Sequence, residues 1–142
     1  SLDKEVAYLE NYIQMEKLRF QDKFEYSVAV AEGLDEYNIM IPPMLLQPLV
    51  ENAVYHGIEP GAQPGRIEIS AVRAGEQMLL TLSNPYWPEH QHRQGNRMAL
   101  ANIGERLMLH YDVEASLRTV IEGSRFRTRI TLPWRVATGG GG

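Results

Sequence analysis

Apolar side chains recur at Leu2, Val6, Leu9, Ile13 and Phe20, and Tyr12 widens their stripe, while Lys4, Glu5 and Lys17 fall on the remaining surface. That spacing predicts an amphipathic helix over residues 2–20. Phe24, Tyr26, Val28 and Val30 then alternate with smaller or more polar residues, the period of a strand. Gly33-Leu34-Asp35 reads as a turn, and an extended piece leads to Pro42-Pro43. In the next stretch, "IPPMLLQPLVENAVYHGIEP", residues 41–60, Leu46, Leu49, Val50, Ala53 and Val54 sit at core spacing for a helix. Pro48 removes one internal hydrogen bond, so the first turn is expected to be irregular and the regular helix to begin near Leu49. Residues 59–65 form a loop. Two strands follow, 66–72 and 77–83, joined at Ala74-Gly75-Glu76. Residues 84–94 hold two prolines and no periodicity, a loop. A helix is predicted over 98–111, with Leu100, Ile103 and Leu107 inward and Leu109 or Tyr111 next. A hairpin of 114–120 and 125–132, turned at Glu122-Gly123-Ser124, ends the pattern. This order predicts an α+β fold, a two-layer sandwich with helices on one face of a mostly antiparallel sheet.

Composition narrows the function. The 142 residues suffice for one core, and the net charge of −4 argues against a nucleic-acid-binding surface. With no cysteine there is no disulfide, thiolate metal site or cysteine nucleophile. No apolar run reaches the roughly 20 residues of a membrane helix, and no signal peptide is visible, so a cytoplasmic domain is expected. A chain that opens inside a helical pattern reads as a fragment of something longer, and the glycine-rich end as a flexible tail.

The polar residues of the central helix are the first chemical signal. Glu51 and Tyr55 are four apart, as are Asn52 and His56, so the pairs form adjoining rows away from the apolar stripe. Carboxamide and carboxylate oxygens suit a hard cation such as magnesium, which takes few protein ligands and keeps positions for water and phosphate. A neighbouring carboxylate can orient a nucleophile or accept a proton. The same pattern also fits a plain solvated face. His90 and His92, two apart without a third ligand, read as solvated loop residues. Arg125, Arg127 and Arg129 alternate along the last strand and read as a solvated sheet face.

"LQPLVENAVYHG" resembles the N-box of the GHKL ATPases, in the form found in LytS/YehU-type sensor histidine kinases. "LDKEVAYLENYIQMEKLRFQDKFEYSVAV" is similar to the segment leading into their catalytic domain, "ALANIGERLMLHY" to their "GLxNxxxRLxxxY" helix, and Leu132-Pro133 to their closing strand. The "SNP" before the loop is shared with the AlgZ/FimS group. The resemblance implies the Bergerat fold, with residues 1–20 a lead-in from a dimerisation and phosphoacceptor region, 21–135 the ATP-binding catalytic domain and 136–142 the tail. It implies ATP and Mg2+ as cofactors, with Asn52 the magnesium ligand, Glu51 the acidic residue acting on the attacking group, and His56 and Gly57 on the phosphate side. Partners implied are the chain's own dimerisation region in a homodimer and a response regulator of the LytTR type, the whole protein being anchored in the inner membrane.

Departures from the family pattern gather around the base and phosphates. Asn84, followed by Pro85, stands where the family places an aspartate that accepts from the adenine amine; the amide oxygen still accepts, with about 1 kcal/mol less binding. In place of "GxGxGL" the chain has "GNRMAL": Gly95 remains, while Arg97 and Ala99 replace later glycines. The Arg97 guanidinium can bind phosphate, or pair with Glu89. Asn102 matches the asparagine of "GLxN" and implies a phosphate-side or helix-anchoring role, and Gly123-Ser124 loosely matches a Gly-Thr box. None of the four histidines has the family's phosphoacceptor context, so the chain is expected to bind ATP without phosphorylating itself. The rival expectation is a degenerate GHKL domain that has lost ATP binding and serves as an interaction scaffold in signalling.

Overall fold

A computed structural model describes residues 2–20, 24–31, 41, 45–58, 65–87, 93–111 and 115–133. The elements are α1 (Leu2–Phe20), β1 (Phe24–Val30), α2 (Gln47–Ala53) continuing into a π-helical turn (Val54–Ile58), β2 (Gly65–Ala74), β3 (Gln77–Pro85), α3 (Arg93–Tyr111), β4 (Ser116–Glu122) and β5 (Arg125–Pro133). Five strands form one sheet in the order β1-β2-β3-β5-β4. The β1–β2 pair is parallel and the other three pairs are antiparallel, giving the mixed sheet expected from the chain order. Gly75 and Gly123 turn the two hairpins at φ 62° and 58°, a region that a residue with a Cβ enters only at a cost.

Strand alternation divides the sheet into an apolar and a polar face. Ile67, Ile69 and Ala71 of β2, Met78, Leu80 and Leu82 of β3, and Ile130 and Leu132 of β5 are buried on the inner face. Over them lie Leu2, Leu9 and Ile13 of α1, Leu49, Val50 and Ala53 of α2, and Ile103, Leu107 and Tyr111 of α3. Tyr111, and not the 85% exposed Leu109, is the last inward residue of α3. Each fully buried aliphatic side chain contributes about 1.5–3 kcal/mol, so this single core sets the position of α2.

The structure departs from the sequence reading in four places. Glu5, read as a surface charge, is buried, and its carboxylate accepts a 3.0 Å hydrogen bond from the Leu46 backbone N–H. Helix α2 begins at Gln47, earlier than expected, because Pro48 falls in the first turn, where a missing N–H leaves nothing unpaired. Strand β3 runs on through Asn84 and Pro85, where the two prolines and lack of periodicity predict a loop. Beyond Ser83 it has left β2 and pairs with β5 alone, so proline is tolerated as on an edge strand. Helix α3 starts at Arg93, placing Gly95 and Arg97 within the helix, where the sequence suggested a loop up to Gln94. The turn at 33–35, the loop over 59–64, His90, His92 and the tail lie outside the described residues.

Candidate nucleotide site

Apolar packing of Leu49, Val50 and Ala53 turns the opposite side of α2 outward. Glu51 is exposed there, and its Oε1 accepts a 3.2 Å hydrogen bond from Gln47 Nε2 one turn earlier. Asn52 beside it is half-buried. The helix has no side-chain N-cap of its own: Leu46 occupies that position, and the Glu5 carboxylate supplies the acceptor from α1. An anionic acceptor at a helix N-terminus answers both an orphan N–H and the helix dipole. The sequence signal for it was an acidic residue one position from the apolar stripe.

At its far end α2 widens into the π turn, a local distortion of the kind that often accompanies function. Gly57 is buried there against the end of β3. A Cβ added to it would lie 2.9 Å from Asn84 Nδ2 and 3.2 Å from Pro85 Cδ, so only glycine permits this approach. Gly65 is also close, where a Cβ would meet Pro85 Cγ at 3.1 Å and Ile58 Cδ1, the end of a flexible side chain, at 2.7 Å. Trp87 closes the seam, its indole N–H donating to the Gly57 carbonyl at 2.7 Å. The Tyr86 N–H donates to the Ser124 carbonyl at 2.8 Å, tying the end of β3 to the β4–β5 turn.

Asn84 is 5% exposed, and its Nδ2 donates to the Pro85 carbonyl at 2.8 Å. A carbonyl can only accept, so this bond fixes which end of the carboxamide is nitrogen and directs Oδ1 away from it. Of the residues singled out in the sequence, the structure thus joins Gly57 to Asn84 and sets Glu51 and Asn52 on the helix that ends at that junction. Asn102 lies on an exposed part of α3. Gly95 and Arg97 are in the first turns of α3, and the side chains of Arg97 and His56 lie outside the described residues. Trp87 and Gly65 complete the seam. Their signals were an indole within three residues of Asn84 and a glycine opening a strand.

Among the described residues no three His, Cys, Asp or Glu side chains gather as a metal centre, and no helix is long and apolar enough to cross a membrane.

No family model matches the chain. It is 29% identical over 137 residues to the sensor histidine kinase BtsS of Escherichia coli strain K12, covering 95% of this chain and 24% of BtsS. It is 31% identical over 151 residues to the sensor protein LytS of Oceanobacillus iheyensis, covering 94% of this chain and 25% of LytS. The chain therefore spans about a quarter of the length of these curated relatives. Among solved structures, the catalytic domain of the histidine kinase ThkA superposes with a TM-score of 0.71 over 94% of each chain at 11% identity. ThkA in complex with the response regulator protein TrrA superposes with a TM-score of 0.60, over 95% of this chain and 41% of that one, at 13% identity. By sequence this chain is similar to a stretch of about a quarter of sensor histidine kinases such as BtsS and LytS, and its α+β sandwich is the fold of histidine kinase catalytic domains.

Proposed function

We propose that this chain is the ATP-binding catalytic domain of a sensor histidine kinase, passing the γ-phosphoryl group of Mg-ATP to a histidine outside these residues. From there the group moves to an aspartate of a response regulator. The observation that carries this reading is the seam in which Gly57, at the end of the helix bearing Glu51 and Asn52, is pressed against Asn84. It draws the phosphate-side and base-side residues of the family pattern into one structural unit.

Asn84 receives the base. Its Nδ2 is engaged by Pro85, so Oδ1 is the atom left to accept from the adenine amine. At the other end, Asn52 offers a carboxamide oxygen as the protein ligand of magnesium. The lack of an acidic cluster among the described residues fits an ion that fills its remaining positions with water and phosphate. When bound, magnesium would neutralise charge on the phosphates. Glu51, exposed beside Asn52, orients the incoming imidazole and accepts its proton as a phosphorus–nitrogen bond forms and ADP departs. Gly95 and Arg97, at the start of α3, add backbone N–H groups and a guanidinium on the phosphate side, with His56, Gly57 and Asn102 completing that side. The finer assignments follow the family pattern: a LytTR-type response regulator as acceptor, a homodimer formed through the chain's own dimerisation region, and a cytoplasmic placement in an inner-membrane protein.

Calorimetric titration with Mg-ATP, on the parent chain and on Asn52→Ala, tests the proposal. Removing one contact to a charged group costs about 1.5–3 kcal/mol, a loss of roughly 10- to 150-fold in affinity. Equal heats from both proteins would refute the role of Asn52. No heat from the parent at millimolar nucleotide would favour a scaffold that has lost ATP.

A further inference from the structure

The sheet face turned away from the helices is basic at one end, although the chain as a whole is acidic. In the register of β4 against β5, Arg118 stands directly opposite Arg129, with Arg127 and Arg125 further along the same face. Like charges directly opposite on neighbouring strands are destabilising. Only part of this charge is answered locally. Arg127 Nη1 pairs with Glu122 Oε2 at 3.2 Å, while Arg125 Nε donates to Ser83 Oγ at 3.0 Å and Arg129 Nε to Thr81 Oγ1 at 3.4 Å. Those hydroxyls bring no charge. Arg125 Nη2 is buried without a hydrogen-bond partner among the described residues. Burial lowers the basicity of Arg125; Glu68 counters this, and Arg127 and Arg66 add to it.

Shape follows the charge. A shallow trough of about 390 Å³ is lined by Ser27, Ser70 and Thr81, by the apolar Val72 and Leu79 and by the carboxylate of Glu68, with Arg127 and Arg129 bordering it. A second hollow of about 250 Å³ lies on the other side of the same two arginines, bounded by Arg118, Val120 and Glu122. Arg127 and Arg129 therefore make a ridge between two depressions, with guanidinium groups reachable from both.

We propose that this face docks an acidic polypeptide segment of a partner protein, whose carboxylates straddle the Arg127–Arg129 ridge and also engage Arg118. Guanidinium groups bind carboxylates in forked pairs, and such pairing would relieve the Arg118–Arg129 repulsion. Glu25, Glu68 and Glu122 interrupt the basic surface, which disfavours the dense phosphates of nucleic acid or an anionic membrane and suits a short acidic segment whose carboxylates are spaced apart. The face lies across the sheet from α2, so docking leaves the nucleotide residues accessible and stands independently of the ATP reading.

The test is fluorescence anisotropy with a fluorescein-labelled peptide of repeating Glu-Ala units, using the parent chain and the Arg118→Ala/Arg129→Ala variant. Amide chemical shifts of the parent locate the peptide. Expected are saturable binding that weakens as salt is raised, shifts confined to the five strands, and at least about tenfold weaker binding by the variant. Because the variant removes a like-charge pair, its melting temperature should be unchanged or higher, and its Mg-ATP titration should match the parent's. Absence of peptide binding, equal affinity of parent and variant, or shifts on the helical face would overturn the proposal. So would capture by phosphatidylserine vesicles in preference to the peptide, which would assign the face to a membrane surface.

Discussion

At Asn84 a single hydrogen bond accounts for the choice of carboxamide over carboxylate. Its Nδ2 donates to the Pro85 carbonyl in a site that is 5% exposed. An aspartate there would set an anionic oxygen against that carbonyl, with burial opposing ionisation as well. Asn84→Asp is therefore expected to lose about 1–3 kcal/mol of stability at neutral pH. Its folded pKa should lie above the ordinary carboxylate value of roughly 4, so the deficit should shrink as pH falls through that raised pKa. Urea unfolding at two pH values checks this, and a variant equally stable at both would show that the amide bond to Pro85 is dispensable. Gly57→Ala tests the same junction from the other side. Its new methyl group would meet Asn84 at 2.9 Å, and overpacking of this kind costs about 1–3 kcal/mol. An unchanged melting temperature would mean that the π turn yields freely. The sequence made Asn84, Gly57 and Asn52 visible as candidates, through the pattern that they share with a known family. It could not show that Asn84 and Gly57 touch, because that contact joins residues 27 positions apart through a distorted helical turn.

Among the elements, α2 shows most clearly where periodicity succeeds and where it stops. The spacing of Leu49, Val50 and Ala53 located its buried face, as alternation located the strands and their inner faces. Its termini were less legible. A helix end is decided by groups that satisfy its unpaired backbone, and here the N-terminal group is Glu5, 41 residues earlier. Likewise the extension of β3 through Pro85 depends on pairing with β5 that local composition opposes. If Glu5 caps α2, Glu5→Ala should cost about 1–2 kcal/mol in a thermal melt, while Glu5→Gln, which keeps an acceptor, should lose less. Equal losses would indicate that packing of the side chain, and not the bond to Leu46, is what matters. The loss should also appear in function. A frayed first turn would loosen the helix that carries Glu51 and Asn52, so weaker Mg-ATP binding is expected in Glu5→Ala.

For the whole molecule, the consequence of this architecture is that the proposed ligand would bridge two layers of one core. Asn52 belongs to the helical layer and Asn84 to the sheet, and the Gly57–Trp87 seam fastens one to the other. A nucleotide contacting both should bind the folded state alone and stabilise it by mass action. At a hundredfold excess over its dissociation constant that stabilisation is about 2.7 kcal/mol. For a domain of this size it corresponds to a rise of about 8–16 °C in melting temperature. Chelating magnesium should remove most of the rise, because the phosphates would lose their bridge to Asn52. GTP should produce much less, since guanine presents a carbonyl where adenine presents its amine, and Asn84 Oδ1 would then face another acceptor. Trp87 supplies an independent reading, because its indole N–H is bonded to the Gly57 carbonyl at the seam. In a Trp134→Phe background its emission should change on addition of Mg-ATP, and the change should be lost with Asn52→Ala. A melting temperature indifferent to Mg-ATP, with unaltered Trp87 emission, would sever the two layers functionally and leave the fold serving only as a surface for other proteins.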